Sequence, residues 1–369
     1  MSSNLKILIQ HCHKKNEIAG VLTYIESLTE ELNLRNIEYH IISTTDTSFK
    51  DWIKWMLWAN VIYMHSNDPI FTVVGKLLLR KIFLMYHYKF YLTNCDLDNI
   101  NFSDRLKIEI KHLTNIKHLP LKWKFERFYQ ILKLGGRLTS SFWADELLAN
   151  TKFMANSTFL PRNIHVFPYP IPSDKTISNN VHKTIDDLDS PLTFTFAGRL
   201  CKDKGVDILL SAIERLTTVN SNLNFIVKIV GDGGLSDNLR EMAAKAKIEN
   251  YVMFLGKLPL DETMNLMKRS IAVIIPSRYP EPAGRVLLES GIVGTLPIAS
   301  RIGGLPELGG DESLYFESED VVGLTNLMAM CLEAPEEALN RGLQLQSRLK
   351  DKHSLSQHLD QLLNLFTAI

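Results

Sequence analysis

Two glutamates in the second half of the chain could bind a sugar. Glu281 and Glu289 lie eight positions apart in the stretch PEPAGRVLLES. Glu281 follows the apolar strand pattern AVIIP, and a helical pattern begins near Gly284. In open α/β sheets, ligands bind at the carboxyl ends of the strands, where helix N-termini and free loop amides gather. Because sugar hydroxyls need acceptors, Glu281 beside the amides of Ala283 and Gly284 predicts a hexose clamp.

The same two carboxylates have two other interpretations. A carboxylate pair can act as acid and base in glycoside hydrolysis, but that reaction needs the two groups on opposite sides of the scissile bond, across a gap. Glu281 and Glu289 instead lie on one local element. They could also be a loop residue and a helix-surface charge without a chemical role. The residues around them favour the sugar clamp over both alternatives.

A second group of candidate residues is basic and lies in FAGRLCKDKG. A strand pattern ends at Ala197, Gly198 permits a close backbone approach, and Arg199, Lys202 and Lys204 follow in a loop. A diphosphate leaving group gains charge as its bond to a sugar breaks, and cations placed there stabilise it without a metal. We therefore expect Arg199 and Lys204 to bind a diphosphate; the alternative is a solvated basic loop.

A third motif, IVGDGG at residues 229–234, has the appearance of a phosphate-binding glycine loop. It matches no complete dinucleotide fingerprint, and a lone glycine cluster is weak evidence for such a site. The motif therefore favours a tight turn that lines the ligand cleft.

The elements that would position these residues alternate between strand and helix patterns. We predict strands in the first half at residues 6–10, 38–43, 60–64, 81–86 and 137–141. In the second half we predict strands at residues 192–197, 225–230, 252–255, 271–275 and 296–299, with helices between them. This alternation is typical of parallel sheets covered by helices on both faces. The prediction is an α/β protein with two Rossmann-like, doubly wound domains that face each other across a cleft.

Length and composition agree with two domains. Single cores stop growing beyond roughly 250–300 residues, and the chain has 369. We place an N-terminal acceptor-binding domain at residues 1–172 and a polar linker at 173–190. A donor-binding domain follows at residues 191–350, and a C-terminal helix at 351–369 packs back toward the first domain.

Charge, cysteines and apolar runs exclude several classes of protein. The 41 basic and 41 acidic residues cancel, which argues against a nucleic-acid partner. Cys12, Cys95, Cys201 and Cys331 have no paired spacing that indicates a zinc or redox site. The start of the chain does not read as a secretory signal, and no apolar run reaches the roughly 20 residues of a membrane span. The sequence therefore predicts a cytoplasmic protein, with the inner face of the plasma membrane as a second option.

The four motifs together resemble a known family. Arg199 with Lys204, the GDG turn, the Glu281–Glu289 pair and GGLPEL at residues 303–308 occur in the order found in retaining glycosyltransferases of family 4, which have the GT-B fold. The resemblance implies a nucleotide-sugar donor and front-face transfer with retention. It implies that Glu281 contacts sugar hydroxyls, Glu289 holds the ribose, and Arg199 and Lys204 bind the diphosphate. No Asp-x-Asp motif follows a strand in a way that suggests a divalent ion, so we predict independence of metals and cofactors. A sugar, a glycolipid or a small molecule remains open as the acceptor.

The resemblance also implies a larger donor site. Residues 254–258 would line the nucleobase pocket through backbone atoms, and Ala283 stands where the family often has Phe. The implied donor-binding residues are Gly20, Gly198, Arg199, Lys204, Gly231, Phe254, Lys257, Leu258, Glu281, Pro282, Ala283, Gly284, Arg285, Val286, Leu287 and Glu289. The implied catalytic residues are Glu281, His87, Arg199 and Lys204.

The first half resembles the family less closely. Gly20 occupies the place of a usual glycine pair, and His87 matches a histidine near the transferred sugar, although the glycine that commonly follows is absent. His87 could equally be a satisfied histidine at a strand end. Residues 120–137, PLKWKFERFYQILKLGGR, mix cations with aromatic side chains, which suits either an anionic membrane surface or a solvated basic face.

Three other functions stay open at this point. A GT-B sugar-nucleotide epimerase would release free nucleotide without an acceptor. A glycogen-type phosphorylase would need a lysine for a pyridoxal cofactor and usually a far longer chain. A non-catalytic partner subunit would bind the donor without turnover, although the complete set of Arg199, Lys204, Glu281 and Glu289 argues against this.

Overall fold

The chain divides into two compact units. The computed structural model describes residues 5–14, 20–66, 68–85, 140–156, 164–170, 183–219 and 223–368. Unit 1 comprises Met1–Pro168 with Leu359–Ile369, and unit 2 comprises Tyr169–His358. His87 and residues 120–137 lie outside the described residues, so the predictions made for them stay predictions.

Unit 1 contains a six-stranded parallel sheet with the strand order β2-β1-β3-β4-β5-β6. Its strands are β1 Lys6–His11, β2 Glu38–Ser43, β3 Val61–Met64, β4 Lys81–Met85, β5 Glu146–Ala149 and β6 Ile164–Val166. Its first helices are α1 Gly20–Leu34, α2 Phe49–Trp58, α3 Pro69–Leu77 and α4 Lys152–Asn156. Every residue of β3 is buried, as expected for a central parallel strand that is covered on both faces.

Local signals set where the helices of unit 1 begin. The Ser48 side chain accepts a hydrogen bond from the Asp51 amide at 3.2 Å and caps α2. Asp68 accepts from the Phe71 amide at 2.9 Å and caps α3, whose first residue is Pro69.

The strand predicted at residues 137–141 is wrong over the part of that range that the structure describes. Ser140 and Ser141 are helical there, and the Ala144 amide donates to the Ser140 carbonyl at 3.0 Å. A strand lies further along, at Glu146–Ala149, where Leu147 and Leu148 are fully buried between β4 and β6. Its sequence, ELLA, has no β-branched or aromatic residue and consists of good helix formers, so it carries no strand signal.

Unit 2 contains a second six-stranded parallel sheet, with the order β12-β11-β10-β7-β8-β9. Its strands are β7 Leu192–Ala197, β8 Phe225–Val230, β9 Val252–Gly256, β10 Ala272–Ile275, β11 Leu296–Ser300 and β12 Leu314–Phe316. Its helices are α5 Val206–Val219, α6 Ser236–Lys245, α7 Leu260–Arg269, α8 Arg285–Ile292, α9 Leu305–Gly309, α10 Val321–Glu333 and α11 Pro335–Lys352.

Helices cover both faces of this second sheet. Phe194 and Ile274 belong to a core cluster with residues of α5 and α10, whereas Val273 and Ile275 belong to a cluster with residues of α8 and α11. The prediction of two α/β domains with parallel sheets is therefore confirmed. The strand order also reverses between β7 and β10, which is the point where ligands bind in doubly wound sheets.

The last helix, α12 Leu355–Thr367, contributes its residues from Leu359 onward to unit 1. There the Phe366 ring lies 4.6 Å from Phe83 and 5.6 Å from Tyr63, between ring centroids. Asp360 forms an ion pair with Arg35 of the first unit's sequence. No helix in the described part of the chain has the length and apolar character needed to cross a membrane.

Residues 183–190, which the sequence analysis placed in a linker, pack against the sheet of unit 2. The Lys183 amine is buried and donates to the Ser270 carbonyl at 3.0 Å and to the Thr295 hydroxyl at 2.8 Å. Asp189 accepts hydrogen bonds from Lys228 at 2.5 Å and from Arg269 at 2.7 Å. The chain that enters β7 is thus anchored by side chains.

The buried amine makes the stability of unit 2 depend on pH. Burial lowers the pKa of Lys183 to about 7. Between that pH and its ordinary value of about 10.4 the unfolded chain holds a proton that the folded chain lacks, so the free energy of unfolding rises with pH. In urea unfolding from pH 7 to pH 10, we expect a smaller rise for Lys183→Met than for the parent protein. Equal pH dependence in both proteins would contradict the lowered pKa.

Candidate donor site in unit 2

The basic loop follows β7 and is held against the GDGG turn. The Leu200 amide donates to the Asp232 carbonyl at 3.0 Å, and the Leu235 amide donates to the Leu200 carbonyl at 3.1 Å. Gly231 has φ +137°, and a Cβ there would overlap the carbonyl oxygen of Gly198. The glycine motif therefore lets two backbone segments pack directly at the carboxyl edge of the sheet.

The two basic residues that we expected to bind a diphosphate differ in their environment. Arg199 is exposed, and its side chain makes no ion pair or hydrogen bond with any residue in the described ranges. Lys204 is half-buried at the end of a 3-10 turn, Lys202–Lys204, and forms an ion pair with Glu281. One of the two cations is thus free for a ligand, and the other is already oriented by a carboxylate.

Glu281 lies at the carboxyl end of β10 and is held by both side chain and backbone. Its Oε1 accepts from the Lys204 amine and from the Ser277 hydroxyl, the latter at 2.9 Å. Its carbonyl accepts from the Gly304 amide at 2.8 Å, so the GGLPEL segment supports its backbone. Both side-chain contacts use Oε1, and Oε2 has no hydrogen-bond partner within the described residues. That oxygen can accept a hydrogen bond from a ligand hydroxyl.

Glu289 occupies the second turn of α8 and pairs with Arg285 one turn earlier. The Arg285 Nε donates to Glu289 Oε1 at 2.7 Å. Glu289 is only 8% exposed, whereas the Arg285 side chain is 37% exposed. Burial raises the pKa of the Glu289 carboxyl above its ordinary value, and the pairing with Arg285 opposes that shift only in part. The ionised carboxylate is therefore unfavourable for folding, as expected of a group retained for a ligand.

This arrangement predicts opposite effects of Glu289→Gln on stability and on binding. Because the folded pKa is raised, ionisation destabilises the folded protein increasingly as the pH rises from about 4.3, the ordinary glutamate pKa, through the raised pKa. We therefore expect the variant to have a higher Tm than the parent above that window and an equal Tm below it. The resemblance implies that Glu289 holds a ribose, so affinity for a ribonucleotide should fall roughly tenfold, because a hydrogen bond to a charged group is lost.

The measurement is thermal unfolding from pH 4 to pH 8, with and without nucleotide. Glu241→Gln is the matched control, because Glu241 also pairs with a cation one helical turn away, Lys245, but is exposed. Its pKa is lowered, chiefly by the hydrogen bond from Lys245, so the control should show no rise in Tm. A Glu289→Gln variant that is less stable than the parent at pH 8 would contradict the argument.

The remaining predicted donor residues of α8 and its N-terminal loop have two kinds of environment. Gly284 caps the helix with φ +45°, and Pro282, Ala283, Arg285 and Val286 are partly exposed beside it. Leu287 is fully buried in a core cluster. Leu287 can therefore shape a ligand pocket only through the packing of its neighbours.

The predicted nucleobase segment lies at the end of β9. The Gly231 amide donates to the Gly256 carbonyl at 2.8 Å, which joins this segment to the GDGG turn. Lys257 is exposed and Leu258 is half-buried. The Phe254 ring packs against the core and lies under the Arg240 guanidinium, 4.7 Å from the ring centroid. Because the core and Arg240 contact the Phe254 ring, a nucleobase would not stack on it. This is consistent with the expectation that backbone atoms line the nucleobase pocket.

Some of the predicted site residues contact one another in the structure, and others do not. It brings Lys204 and Glu281 into contact, together with Ser277, which the sequence analysis did not single out. Glu289 contacts Arg285 and neither of these residues. Gly20 begins α1 in unit 1. Among the residues that the structure describes, no group of three or more His, Cys, Asp and Glu could hold a metal ion; independence of metals stays a prediction.

Comparison with solved structures defines the class of fold. The Anabaena protein Alr3699/HepE in complex with UDP has a TM-score of 0.70 at 16% sequence identity, over 99% of this chain and 100% of that chain. Its complex with UDP-glucose has a TM-score of 0.69 at 15% identity, with the same coverage. WaaG, a glycosyltransferase involved in lipopolysaccharide biosynthesis, has a TM-score of 0.66 at 13% identity, over 98% of this chain and 99% of that chain. The fold is therefore of the GT-B class.

Sequence comparison finds a matching family model. Residues 180–344 match the family model described as Glycosyl transferases group 1. The glycogen synthase of Mycobacterium tuberculosis is 32% identical over 43% of this chain and 38% of its own length. An uncharacterized glycosyltransferase of Methanocaldococcus jannaschii is 26% identical over 79% of this chain and 78% of its own. The chain spans less than half the length of the first curated relatives that it matches.

Proposed function

We propose that the protein is a retaining glycosyltransferase that uses a nucleoside diphosphate sugar, with UDP-sugars as the first donors to test. The observation that carries the proposal is the ion pair between Lys204 and Glu281 at the point where the strand order reverses. A cation suited to a diphosphate and a carboxylate suited to sugar hydroxyls, 77 positions apart in sequence, meet there. A nucleotide sugar has a sugar joined directly to a diphosphate, so one ligand satisfies both groups.

In the proposed transfer, each of these side chains has a part that suits its contacts. Lys204 and the unpaired Arg199 stabilise the charge that grows on the diphosphate, and Glu281 orients the sugar by accepting from its hydroxyls. In front-face transfer, the bond between the acceptor oxygen and the anomeric carbon forms as the bond from that carbon to the phosphate oxygen breaks. The departing phosphate takes the acceptor's proton, so the products are the glycoside and the nucleoside diphosphate. Glu289, paired with Arg285, holds the ribose.

The choice of UDP rests on the structural neighbours. The HepE complexes contain UDP or UDP-glucose, and a structure of a TarM mutant of S. aureus also contains UDP. The named relatives act on different acceptors: one is a glycogen synthase, and another is a phosphatidylinositol N-acetylglucosaminyltransferase subunit of Schizosaccharomyces pombe. These names support a nucleotide-sugar donor and leave the acceptor open.

The test is thermal unfolding with a panel of UDP, GDP, ADP, dTDP and CMP, with EDTA throughout. Binding to the folded state alone stabilises it by about 2.7 kcal/mol at a hundredfold excess over Kd, so one nucleotide, UDP, should raise Tm clearly. The rise should disappear in Lys204→Met and persist in Lys245→Met, which removes an exposed lysine of α6. Failure of every nucleotide to change Tm would contradict the proposed donor site.

A second measurement separates an enzyme from a donor-binding subunit. UDP-glucose and related UDP-sugars are incubated with the protein and mixtures of sugars, glycolipids and small-molecule alcohols, and released UDP is measured. UDP release that requires an acceptor supports transfer. Release with an epimerised free sugar and no acceptor would support the epimerase. Binding without release from any donor would support the non-catalytic subunit.

A further inference from the structure

Arg278 joins the two loops that carry Lys204 and Glu281. We propose that Arg278 is a positioning residue that holds the Lys202–Lys204 turn and thereby sets the affinity for the diphosphate of the donor. This inference rests on the proposed function, because it concerns how the same site recognises its ligand.

The side chain of Arg278 reaches three separate segments of unit 2. Its guanidinium binds both carboxylate oxygens of Asp207, in the first turn of α5, at 2.6 and 2.7 Å. It also binds both oxygens of Glu319, just before α10, where Nη2 donates to Oε2 at 3.0 Å. Nη1 donates in addition to the carbonyl of Lys202 at 3.0 Å. The planar guanidinium of Arg278 thus connects α5, the loop before α10 and the Lys202–Lys204 turn through hydrogen bonds.

The backbone of Arg278 holds the same turn. Its amide donates to the carbonyl of Asp203 at 2.9 Å, and the Tyr279 amide reaches that carbonyl at 3.3 Å. Two consecutive carbonyls of the turn, those of Lys202 and Asp203, are therefore bound by Arg278 itself. Lys204 is the next residue along the chain, so its position depends on these contacts.

The charges show that Arg278 acts on the turn and does not serve the ligand directly. Its side chain is 17% exposed and is neutralised by two carboxylates. Hydrogen bonds that Arg278 donates to the Asp207 and Glu319 carboxylates raise the pKa of Arg278. Burial alone would raise the pKa of the Asp207 carboxyl, but the hydrogen bonds from Arg278 hold it below its ordinary value. Arg199, by contrast, is exposed and has a free guanidinium for phosphate.

Glu319 lies in the turn before α10, where the Asp320 amide donates to the Glu317 carbonyl at 2.9 Å. Glu319 has φ +70°, a left-handed conformation that residues other than glycine rarely adopt. Such a conformation persists where the surroundings determine it strongly. Here the bidentate contact with Arg278 determines the orientation of the carboxylate.

The experiment compares the affinities for UDP and UMP in the full chain by calorimetry, with EDTA present. Arg278→Met removes the guanidinium, and Arg278→Lys keeps the charge but cannot bind two carboxylates and a carbonyl in one plane. In both variants we expect the preference for UDP over UMP to fall roughly tenfold, the loss of about one charge-assisted hydrogen bond. Affinity for UMP, which lacks the terminal phosphate, should change little.

The controls separate positioning from charge and from general stability. Arg35→Met removes an arginine of unit 1 that also has two carboxylate partners, Glu31 and Asp360, and similar burial; it should keep the parent's preference for UDP. If Arg278→Lys has the parent's preference for UDP over UMP, the positive charge alone accounts for the preference, and the positioning role is wrong. If UDP and UMP affinities fall equally, the residue only stabilises the fold.

The same measurements distinguish a failure of the proposed function from a failure of the positioning role. A parent protein that binds neither nucleotide contradicts the proposed function itself. A parent that prefers UDP, with Arg278 variants that prefer it equally, contradicts only the positioning role. Should both Arg278 variants fail to fold, Glu319→Gln removes one carboxylate partner of Arg278, and an unchanged preference for UDP in that variant would overturn the inference.

Discussion

Lys204→Met should slow sugar transfer by about two to three orders of magnitude, the typical effect of removing one preorganised group that stabilises transition-state charge. Lys204 is the half-buried cation that contacts Glu281, so its ammonium lies beside the expected junction of sugar and diphosphate. A methionine keeps the length of the side chain and removes its charge. The rate of UDP release from UDP-sugar in the presence of acceptor measures the effect.

A double-mutant cycle tests whether Lys204 and Glu281 act on the same ligand. If they do, Glu281→Gln should cost much less in the Lys204→Met background than in the parent, because residues that act as a unit are not additive. Lys245→Met, on the surface of α6, is the control and should transfer at the parent's rate. Parent-like transfer by Lys204→Met would remove the main support for the proposed donor site.

Gly205→Ala should strongly destabilise unit 2. Gly205 has φ +64° at the end of the Lys202–Lys204 turn, and a Cβ there would overlap the carbonyl oxygen of Pro276. The turn and the loop that leads to Glu281 would have to separate. We expect a loss of roughly 2–4 kcal/mol in the free energy of unfolding, from backbone strain and steric overlap together. Nucleotide binding should weaken as well, because Lys204 precedes this glycine.

Alanine substitutions at two other glycines of unit 2 distinguish backbone strain from steric overlap as the cause of the lost stability. Gly256 has φ +69° but no neighbouring atom within 4 Å of an added Cβ, so Gly256→Ala reports strain alone. Gly234 has no such neighbour and no left-handed φ, so Gly234→Ala should change stability by less than about 0.5 kcal/mol. Urea unfolding of the three variants gives the comparison. If Gly205→Ala is as stable as Gly256→Ala, then moving the Lys202–Lys204 turn away from Pro276 does not lower the free energy of unfolding, and the steric part of the argument is wrong.

Five of the six strands of unit 2 were predictable from their residue types. The predicted strands at residues 192–197 and 225–230 match β7 and β8 at both ends. Their sequences, LTFTFA and FIVKIV, are rich in aromatic and β-branched residues, which favour strands. β12 Leu314–Phe316, with three residues, was not predicted. In unit 1, the sequence does not predict β5, because its residues, ELLA, favour helices and include no β-branched or aromatic side chain.

The candidate site also has residues that the sequence predicts and residues that it does not. Its motifs could be recognised because each is a local stretch, and all of them lie within residues 180–344, which match the glycosyl transferases group 1 model. Arg278 had no local signal: its partners Asp207 and Glu319 lie 71 and 41 positions away. The same holds for Ser277, whose contact with Glu281 depends on how the loop after β10 bends.

The sequence by itself determined the alternation of strands and helices, the division of the chain into two α/β parts and the motifs of the second part that resemble a known family, because periodicity and motifs are local properties. Only the tertiary structure decided which loops meet. β7 pairs with β10 and not with β9, and this strand order places Lys204 against Glu281 and Arg278 between Asp207 and Glu319. Such pairings join residues far apart in the chain, and they follow from the packing of the whole sheet, which no short stretch of sequence contains.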